Sequence, residues 1–211
     1  MTIIVSDFDG TITKGDSLYN FFDKFASSEW LDVEDLWTKG KISSKECLIK
    51  EFELVKGLSE KLIEDYTKTI EIDEDFFDFI ELTKKENADF IVVSDGIDYF
   101  INKILKNNNI NNIKLITNHA EFINGKFTLS FPNGFVGCDN DSGTCKCKVV
   151  SDLKKTHDKI YYIGDGASDF CVSEKVDYLF AKSSLKKHCL EKNIKFKPFE
   201  TFGDIAKVIE F

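Results

Sequence analysis

Two hydrophobic patterns alternate along most of this chain. Short, continuous apolar runs predict strands buried on both faces, and they lie at 2–8, 88–96, 158–166 and 177–182. Apolar positions three and four residues apart predict amphipathic helices at 73–87, 97–109, 148–157, 168–176, 183–193 and 198–211. A further strand and hairpin are expected over 113–134, turning at Asn124-Gly125. Strands that alternate with helices predict an α/β fold with a doubly wound parallel sheet.

One stretch interrupts this alternation. Four helical patterns follow one another there with no strand between them, at 16–26, 28–40, 43–57 and 58–70. We therefore expect a helical bundle inserted into the sheet-forming chain. The predicted division is a core domain of 1–14 plus 72–211 and a helical cap domain of 15–71.

Composition narrows the chemistry. The chain has 211 residues, a net charge of −9 and 28 basic residues, all of them lysine. So acidic a protein is a poor nonspecific binder of nucleic acid. Without arginine, a bound anion must be held by lysine, hydroxyl, amide or backbone N–H groups.

The sequence also bears on location. Its N-terminus lacks a signal-peptide pattern, and no apolar run approaches the length of a membrane span. We expect no membrane partner and a cytoplasmic location with reduced cysteines. Monomer and homodimer both stay open.

Carboxylates follow two of the predicted strands. Asp7 and Asp9 come after the first strand, and Asp165 and Asp169 come after the third; Ser94 follows the strand at 88–96. Ligands of doubly wound sheets bind at these strand ends. Each motif alone could simply cap a strand. Together, four carboxylates in one pocket need a cation, and oxygen ligands favour Mg²⁺. A carboxylate beside such a metal is suited to attack phosphorus.

These motifs resemble those of a known family. "DFDGTIT" resembles the nucleophile motif of the haloacid-dehalogenase-like phosphohydrolases, "VVSDG" their second motif, and "IGDGASDF" their acidic motif. The three occur in the family's order over nearly the whole chain. The insertion at 15–71 is similar in position to a phosphoserine-phosphatase-type cap, which closes over the substrate.

The resemblance implies a role for each matching residue. Asp7 would attack phosphorus and form an aspartyl-phosphate, and Asp9 would protonate the leaving alcohol and then activate water. The implied Mg²⁺ ligands are Asp7, the Phe8 carbonyl, Asp9 and Asp165, with Asp169 either ligating the metal or supporting it. The implied phosphate and substrate contacts are Thr11, Ser94, Asp95, Gly96 and Glu46. Further cap candidates are Lys50, Phe21, Phe22 and Phe52, although phenylalanines at helical spacing also suit a bundle core.

The family also uses a lysine that pairs with the nucleophile and the phosphate. Lys146 and Lys148 are the candidates in "CKCKVV". Lys146 stands three residues before the pair Val149-Val150, as in the family's pattern. Spacing therefore favours Lys146 as the third catalytic residue.

The substrate is expected to be a small phosphorylated metabolite. "SDGIDYF", "TNHAEF" and "CKCKVV" resemble the methionine-salvage phosphatases, which act on 2-hydroxy-3-keto-5-methylthiopentenyl 1-phosphate; those relatives commonly carry glycine where this chain has Asp95. Phosphoserine phosphatases are the alternative, weakened by the lack of arginine. Phosphoethanolamine and phosphocholine phosphatases are another. A phosphotransferase or mutase, or a phosphate-binding module without activity, also stays open.

Three cysteines crowd the loop before Lys148: Cys138, Cys145 and Cys147. A disulfide is disfavoured in a cytoplasmic protein. A structural zinc site usually has four ligands, so His119 or His157 would have to supply the fourth. We expect reduced thiols that shape the loop around Lys146.

Overall fold

A computed structural model of the chain describes residues 1–138 and 140–211. Its strands form one seven-stranded sheet in the order β4-β3-β2-β1-β5-β6-β7. Their bounds are β1 Thr2–Ser6, β2 Asp89–Ile97, β3 Lys114–Ile123, β4 Lys126–Ser130, β5 Lys159–Gly164, β6 Tyr178–Ala181 and β7 Lys197–Pro198. Only the β3–β4 hairpin is antiparallel among the described pairs. The predicted α/β fold with a mostly parallel sheet is confirmed.

Helices cover both faces of this sheet. Their bounds are α1 Ser17–Phe25, α2 Trp30–Thr38, α3 Ser44–Glu53, α4 Glu60–Thr67, α5 Phe76–Lys85, α6 Asp98–Asn107, α7 Lys146–Leu153, α8 Ser183–Lys192 and α9 Phe202–Ala206. Successive side chains of a strand point to opposite faces. Accordingly, Ile4 joins the apolar cluster that contains α5, α6 and α9, whereas Ile3 and Val5 join the one that contains α7 and α8.

Three local predictions differ from the structure, and one is the C-terminal helix expected at 198–211, which spans only Phe202–Ala206. The helix expected at 168–176 is only one 3₁₀ turn, Ala167–Asp169, followed by irregular turns. Here the Asp169 carboxylate accepts the N–H groups of Asp165 and Gly166, which favours a tight turn over a regular helix. The two-residue strand β7 was not predicted, because two residues carry no periodic signal.

Helices α1–α4 form the insertion between β1 and α5. The segments that enter and leave it lie side by side: Thr13 and Ile72 form an antiparallel bridge, and the Lys14 N–H donates to the Glu71 carbonyl at 2.9 Å. This pairing supports the division into core and helical cap, which we keep as a proposal. None of the described helices combines the length and apolar character needed to cross a bilayer.

The insertion packs on the rest of the chain through phenylalanine rings. The ring centroids of Phe21 on α1 and Phe100 on α6 lie 4.7 Å apart. Those of Phe52 on α3 and Phe127 on β4 lie 4.9 Å apart. All of these except the half-buried Phe127 are buried. Phe21 and Phe52 therefore belong to the core between the two parts, as their helical spacing allowed.

Candidate active site

Neighbouring strands bring the predicted carboxylates together. Asp7 follows β1, and its N–H continues the ladder to β5 by donating to the Ile163 carbonyl at 2.9 Å. Asp165 follows β5. One carboxylate oxygen each from Asp7, Asp165 and Asp169 lies within 4.8 Å of the others. The sheet register thus forms an acidic cluster at the carboxyl ends of β1 and β5.

Lys146 is the cation in this cluster. Its Nζ lies 2.9 Å from Asp7 Oδ1 and 2.6 Å from Asp169 Oδ1, and its side chain is only 1% exposed. Burial alone would lower the pKa of Lys146, but the charges of Asp169 and Asp7 outweigh it and raise that pKa. Lys148 instead points to the surface, where it pairs with Asp152 one helical turn away. The structure therefore places Lys146 and not Lys148 beside the predicted nucleophile.

Asp169 is held by groups on every side. Its Oδ1 accepts from Lys146 and from the Tyr162 hydroxyl at 2.6 Å, and its Oδ2 accepts the N–H groups of Asp165 and Gly166 at 3.0 and 3.1 Å. These four bonds fill its accepting positions. With these positions filled, Asp169 is better placed to support the turn that carries Asp165 than to ligate a metal directly.

The cluster carries more negative charge than its lysine can offset. Burial and the charges of Asp169 and Asp165 raise the pKa of Asp7, against the opposing charge of Lys146. Burial and the charge of Asp169 likewise raise the pKa of Asp165 to about 6. A bound cation would keep both carboxylates ionised, so the donor set fits a divalent metal.

Asp9 lies apart from those three carboxylates, beside the first turn of α1. Its Oδ1 accepts the Ser17 N–H at 2.9 Å and also the Ser17 hydroxyl. Burial, followed by the charge of Asp16, raises the pKa of Asp9 to about 7. A carboxyl group with such a pKa can give and take a proton near neutrality.

The Phe8 carbonyl does not fit the metal role that the resemblance implied. It accepts the N–H groups of Thr11, Ile12 and Thr13 at 2.8 to 3.2 Å, and so closes the turn after β1. In contrast, no described hydrogen bond ends on the Asp9 carbonyl.

The other residues predicted to contact phosphate lie around the same cavity. The Thr11 hydroxyl donates to Asp165 Oδ1 at 2.8 Å, and Ser94 Oγ accepts the Gly96 N–H at 3.0 Å. A Cβ on Gly96 would lie 2.8 Å from Asp9 Oδ2, so the chain can approach Asp9 here only without a side chain. Thr11, Ser94 and Gly96 all line the cavity, as the motifs predicted.

Asp95 has a role that the sequence did not reveal. Its Oδ1 accepts the Thr144 N–H at 2.8 Å and the Asn118 amide at 3.0 Å, and its Oδ2 accepts the Ser44 hydroxyl. Thr144 stands two residues before Lys146, and Ser44 begins α3. Asp95 therefore joins β2, β3, the lysine loop and the helical insertion at one point.

Most of the proposed cap contacts lie elsewhere. Glu46 is exposed and forms a capping box with Ser43 at the start of α3, where its carboxylate accepts the Ser43 N–H at 3.1 Å. Neither Glu46 nor the exposed Lys50 lines the cavity. Of the phenylalanines, only Phe22 does. Glu46 thus lies outside the cavity with its carboxylate in the helix cap, and its contact with the substrate stays a prediction.

The cavity itself has a volume of about 630 Å³ and lies between the strand ends and helices α1–α3. Sequence reasoning missed several residues of its wall: Asp16, Tyr19, Trp30, Glu34, Trp37, Cys47, Glu51 and Lys182. Lys182 also donates to the Thr11 carbonyl at 3.2 Å, and burial lowers its pKa. Its position directly after β6 was the available signal, since the other site residues also follow strands.

Comparison with known proteins assigns the chain to a family. The family model for haloacid dehalogenase-like hydrolases matches residues 4–174. The chain belongs to the haloacid dehalogenase-like hydrolase family. It is 31% identical over 204 residues to a protein of Bacillus thuringiensis strain Al Hakam named 2-hydroxy-3-keto-5-methylthiopentenyl-1-phosphate phosphatase. That match covers 96% of this chain and 93% of the relative. A protein of the same name from Bacillus cereus strain ATCC 10987 is 31% identical, with 98% and 95% covered.

Two solved structures share this fold. A phosphoserine phosphohydrolase-like protein from Francisella tularensis superposes with a TM-score of 0.72 at 19% identity, over all of both chains. An aspartyl-phosphate intermediate analogue of phosphoserine phosphatase gives 0.73 at 19% identity, over 99% of each chain. At these identities the likeness concerns the fold alone.

Proposed function

We propose that the chain is a Mg²⁺-dependent phosphomonoester hydrolase that works through an aspartyl-phosphate on Asp7. One observation carries this: Asp7 lines the cavity, and the Lys146 Nζ lies 2.9 Å from its Oδ1. The lysine fixes one carboxylate oxygen and neutralises charge that would repel a phosphate. The other oxygen can then face phosphorus.

The chemical steps follow from the two aspartates after β1. An Asp7 oxygen bonds to phosphorus while the ester P–O bond breaks, and Asp9 gives its proton to the departing alcohol oxygen. Water then attacks phosphorus, Asp9 takes the proton from the water, and the bond between Asp7 and phosphorus breaks to release inorganic phosphate. A pKa of about 7 allows Asp9 to perform both transfers.

We propose that Asp7 and Asp165 ligate the Mg²⁺, with Asp169 supporting the turn that carries Asp165. When bound, the metal supplies positive charge that offsets the carboxylates and the phosphate oxygens. Thr11, through its bond to Asp165, holds one of these ligands in place. Lys146 keeps Asp7 oriented whether or not a phosphate is present.

Hydrolysis of p-nitrophenyl phosphate tests the reaction. Activity should require Mg²⁺, should be abolished by chelation, and should fall by at least about 10³-fold in Asp7→Asn. Asp78→Asn, on an exposed part of α5, is the matched control and should keep full activity. Equal activity of Asp7→Asn and the unchanged chain would refute the proposal.

The first substrate candidate is 2-hydroxy-3-keto-5-methylthiopentenyl 1-phosphate. It is the substrate named for relatives that share 31% identity over almost the entire chain. The apolar part of the cavity wall, which includes Phe22, Trp30 and Leu48, is compatible with its methylthio end.

A second candidate, a phosphomonoester with a cationic leaving group, is favoured by the acids of the cap wall. Glu34 and Glu51 lie within 4.8 Å of each other through their carboxylate oxygens. Beside Tyr19 and Trp30, these acids suit an ammonium group such as that of phosphoethanolamine or phosphocholine.

Values of kcat/KM separate these candidates. Phosphocholine and its neutral isostere 3,3-dimethylbutyl phosphate have the same shape, so their ratio reports the cation alone. A ratio above about ten, lost in Glu51→Gln but kept in the exposed control Glu53→Gln, would select the cationic substrate. A ratio near one, with faster turnover of the methylthio ester, would select the first candidate.

A further inference from the structure

The two carboxylate oxygens of Asp9 have different surroundings. Oδ1 accepts both the N–H of Ser17, at 2.9 Å, and the Ser17 hydroxyl. Among the described residues, no hydrogen bond ends on Oδ2. No described polar side-chain atom is both buried and without a partner. Oδ2 is therefore open to the cavity that Asp9 lines, while Oδ1 is turned toward the start of α1.

Oδ2 also lies on the side of the predicted phosphate contacts. A Cβ on Gly96 would lie 2.8 Å from Asp9 Oδ2 and 3.1 Å from Ser94 Oγ, so this oxygen faces the carboxyl end of β2. Ser94 and Gly96 both line the cavity. Of the two oxygens, Oδ2 is thus the one that a phosphate ester in the cavity can reach.

Ser17 is itself fixed by the far end of the helical insertion. It is the first residue of α1, and its carbonyl accepts the hydroxyl of Tyr66 on α4. Both residues are buried. Burial, followed by the charges of Asp9 and Asp16, raises the pKa of Tyr66, so its hydroxyl keeps the proton that it donates. The first and last helices of the insertion therefore meet at the residue that holds Asp9.

We propose that Ser17, held by Tyr66, is a positioning residue that makes Oδ2 the oxygen through which Asp9 transfers its proton. A carboxyl oxygen that accepts two hydrogen bonds has no room for a proton of its own, so a protonated Asp9 carries the proton on Oδ2. Oδ2 gives this proton to the departing alcohol oxygen as the ester P–O bond breaks. It then takes a proton from the water that attacks phosphorus. The inference rests on the proposed hydrolysis and adds which oxygen acts and what orients it.

Leaving groups of different basicity test this role. Phenol is more basic than p-nitrophenol and so depends more on a proton donor as it departs. Release of either in a single turnover reports the first step alone, before the aspartyl-phosphate is hydrolysed. Ser17→Ala should slow release of phenol from phenyl phosphate at least about tenfold, but release of p-nitrophenol less than about threefold. Tyr66→Phe should act in the same direction with a smaller effect, because the Ser17 hydroxyl remains.

Two further variants separate positioning from general damage. Thr83→Val removes a buried hydroxyl from α5, outside the cavity, and should leave both rates unchanged. In an Asp9→Asn background, Ser17→Ala should cause no further selective loss with phenyl phosphate, because Ser17 acts through Asp9. Circular dichroism checks that each variant folds, and Tyr66→Phe gives the same test if Ser17→Ala does not.

The outcomes distinguish this inference from the hydrolysis on which it rests. Equal losses with the two esters, no loss with either, or a further selective loss in the Asp9→Asn background would overturn the positioning role. Release of p-nitrophenol by the unchanged chain would still support the hydrolysis in each of these cases. Absence of release by the unchanged chain would overturn both.

Discussion

At the scale of single residues, Lys146 and Lys148 show how two similar side chains diverge. Residues two apart on a helix point in different directions. Lys146 is therefore 1% exposed against Asp7 and Asp169, while the Lys148 side chain is 41% exposed. The sequence could separate the two through the spacing to Val149-Val150. It could not foresee the support of Asp169, which depends on Tyr162 and two backbone N–H groups.

Lys146→Ala should lower kcat for p-nitrophenyl phosphate by at least about 10²-fold, because it removes the charge paired with the nucleophile. It also leaves Asp169 buried without its cation. Lys148→Ala removes only a surface ion pair and should keep kcat within about twofold. Steady-state kinetics at saturating Mg²⁺ compares the two. A larger loss in Lys148→Ala would show that the structure assigns the wrong lysine.

Asp95 is the residue whose function depends most on the fold. Its partners Ser44, Asn118 and Thr144 come from three separate segments. No local sequence motif could therefore predict this role of Asp95. Asp95→Ala leaves the Thr144 N–H without its acceptor, while the Asn118 amide keeps its 2.6 Å bond to the backbone carbonyl of residue 95. Because Thr144 leads into Lys146, we expect kcat to fall at least about tenfold.

Ser44→Ala separates the two ends of the Asp95 network. It removes the contact with α3 but keeps the bonds to Thr144 and Asn118. We expect it mainly to raise KM, with kcat nearly unchanged, because it loosens the helical wall of the cavity. The same KM and kcat changes in Ser44→Ala and Asp95→Ala would contradict separate roles.

At the scale of elements, hydrophobic period predicted most helices and strands within a few residues of their observed ends. It failed at 168–176, where one carboxylate organises the backbone more strongly than the apolar spacing does. Periodicity also could not show which helix faces meet. The aromatic contacts between α1 and α6 arise only when the insertion folds back onto the sheet domain.

Phe21→Ala should reveal the strength of this contact. Phe21 is fully buried, and its ring contacts five other aromatic rings besides its neighbour Phe22. Removing it should lower the free energy of unfolding by about 3–5 kcal/mol. Phe77→Ala, at a side chain 55% exposed on α5, should cost less than about 1 kcal/mol. Urea denaturation measures both, and equal losses would contradict the proposed packing.

At the scale of the whole molecule, the net charge of −9 does not show that acids at the surface and acids in the cavity differ in pKa. The half-buried acids Asp152 and Asp204 have neighbours that lower their pKa values, whereas the pKa values of the cavity acids Asp9, Glu51 and Asp165 are raised. Composition gives the total charge but not this division, because burial depends on the tertiary fold. The cavity acids therefore make stability depend on pH over a range in which ordinary carboxylates are already ionised.

Glu51 provides the clearest test of that dependence. Burial, followed by the charge of Glu34, raises its pKa from 4.5 to about 8, and Cys47 and Asp16 also face it. Between these values the folded chain holds a proton that the unfolded chain has released. The stabilisation is thus complete below pH 4.5 and is lost as the pH rises through about 8, by at most ~1.4 kcal/mol per pH unit.

Urea denaturation at about pH 6 and about pH 8.5 should show lower stability at the higher pH. Glu51→Gln keeps the shape of the side chain without its titration, so the difference between the two pH values should shrink. Glu53→Gln, exposed on the same helix, should leave it unchanged. Glu34 lies beside Glu51, and the pKa of Glu34 is also raised. Some dependence of stability on pH should therefore remain in Glu51→Gln, and it should be smaller in the double variant Glu34→Gln/Glu51→Gln. Stability that rises from pH 6 to pH 8.5 would contradict the buried, protonated state of these acids.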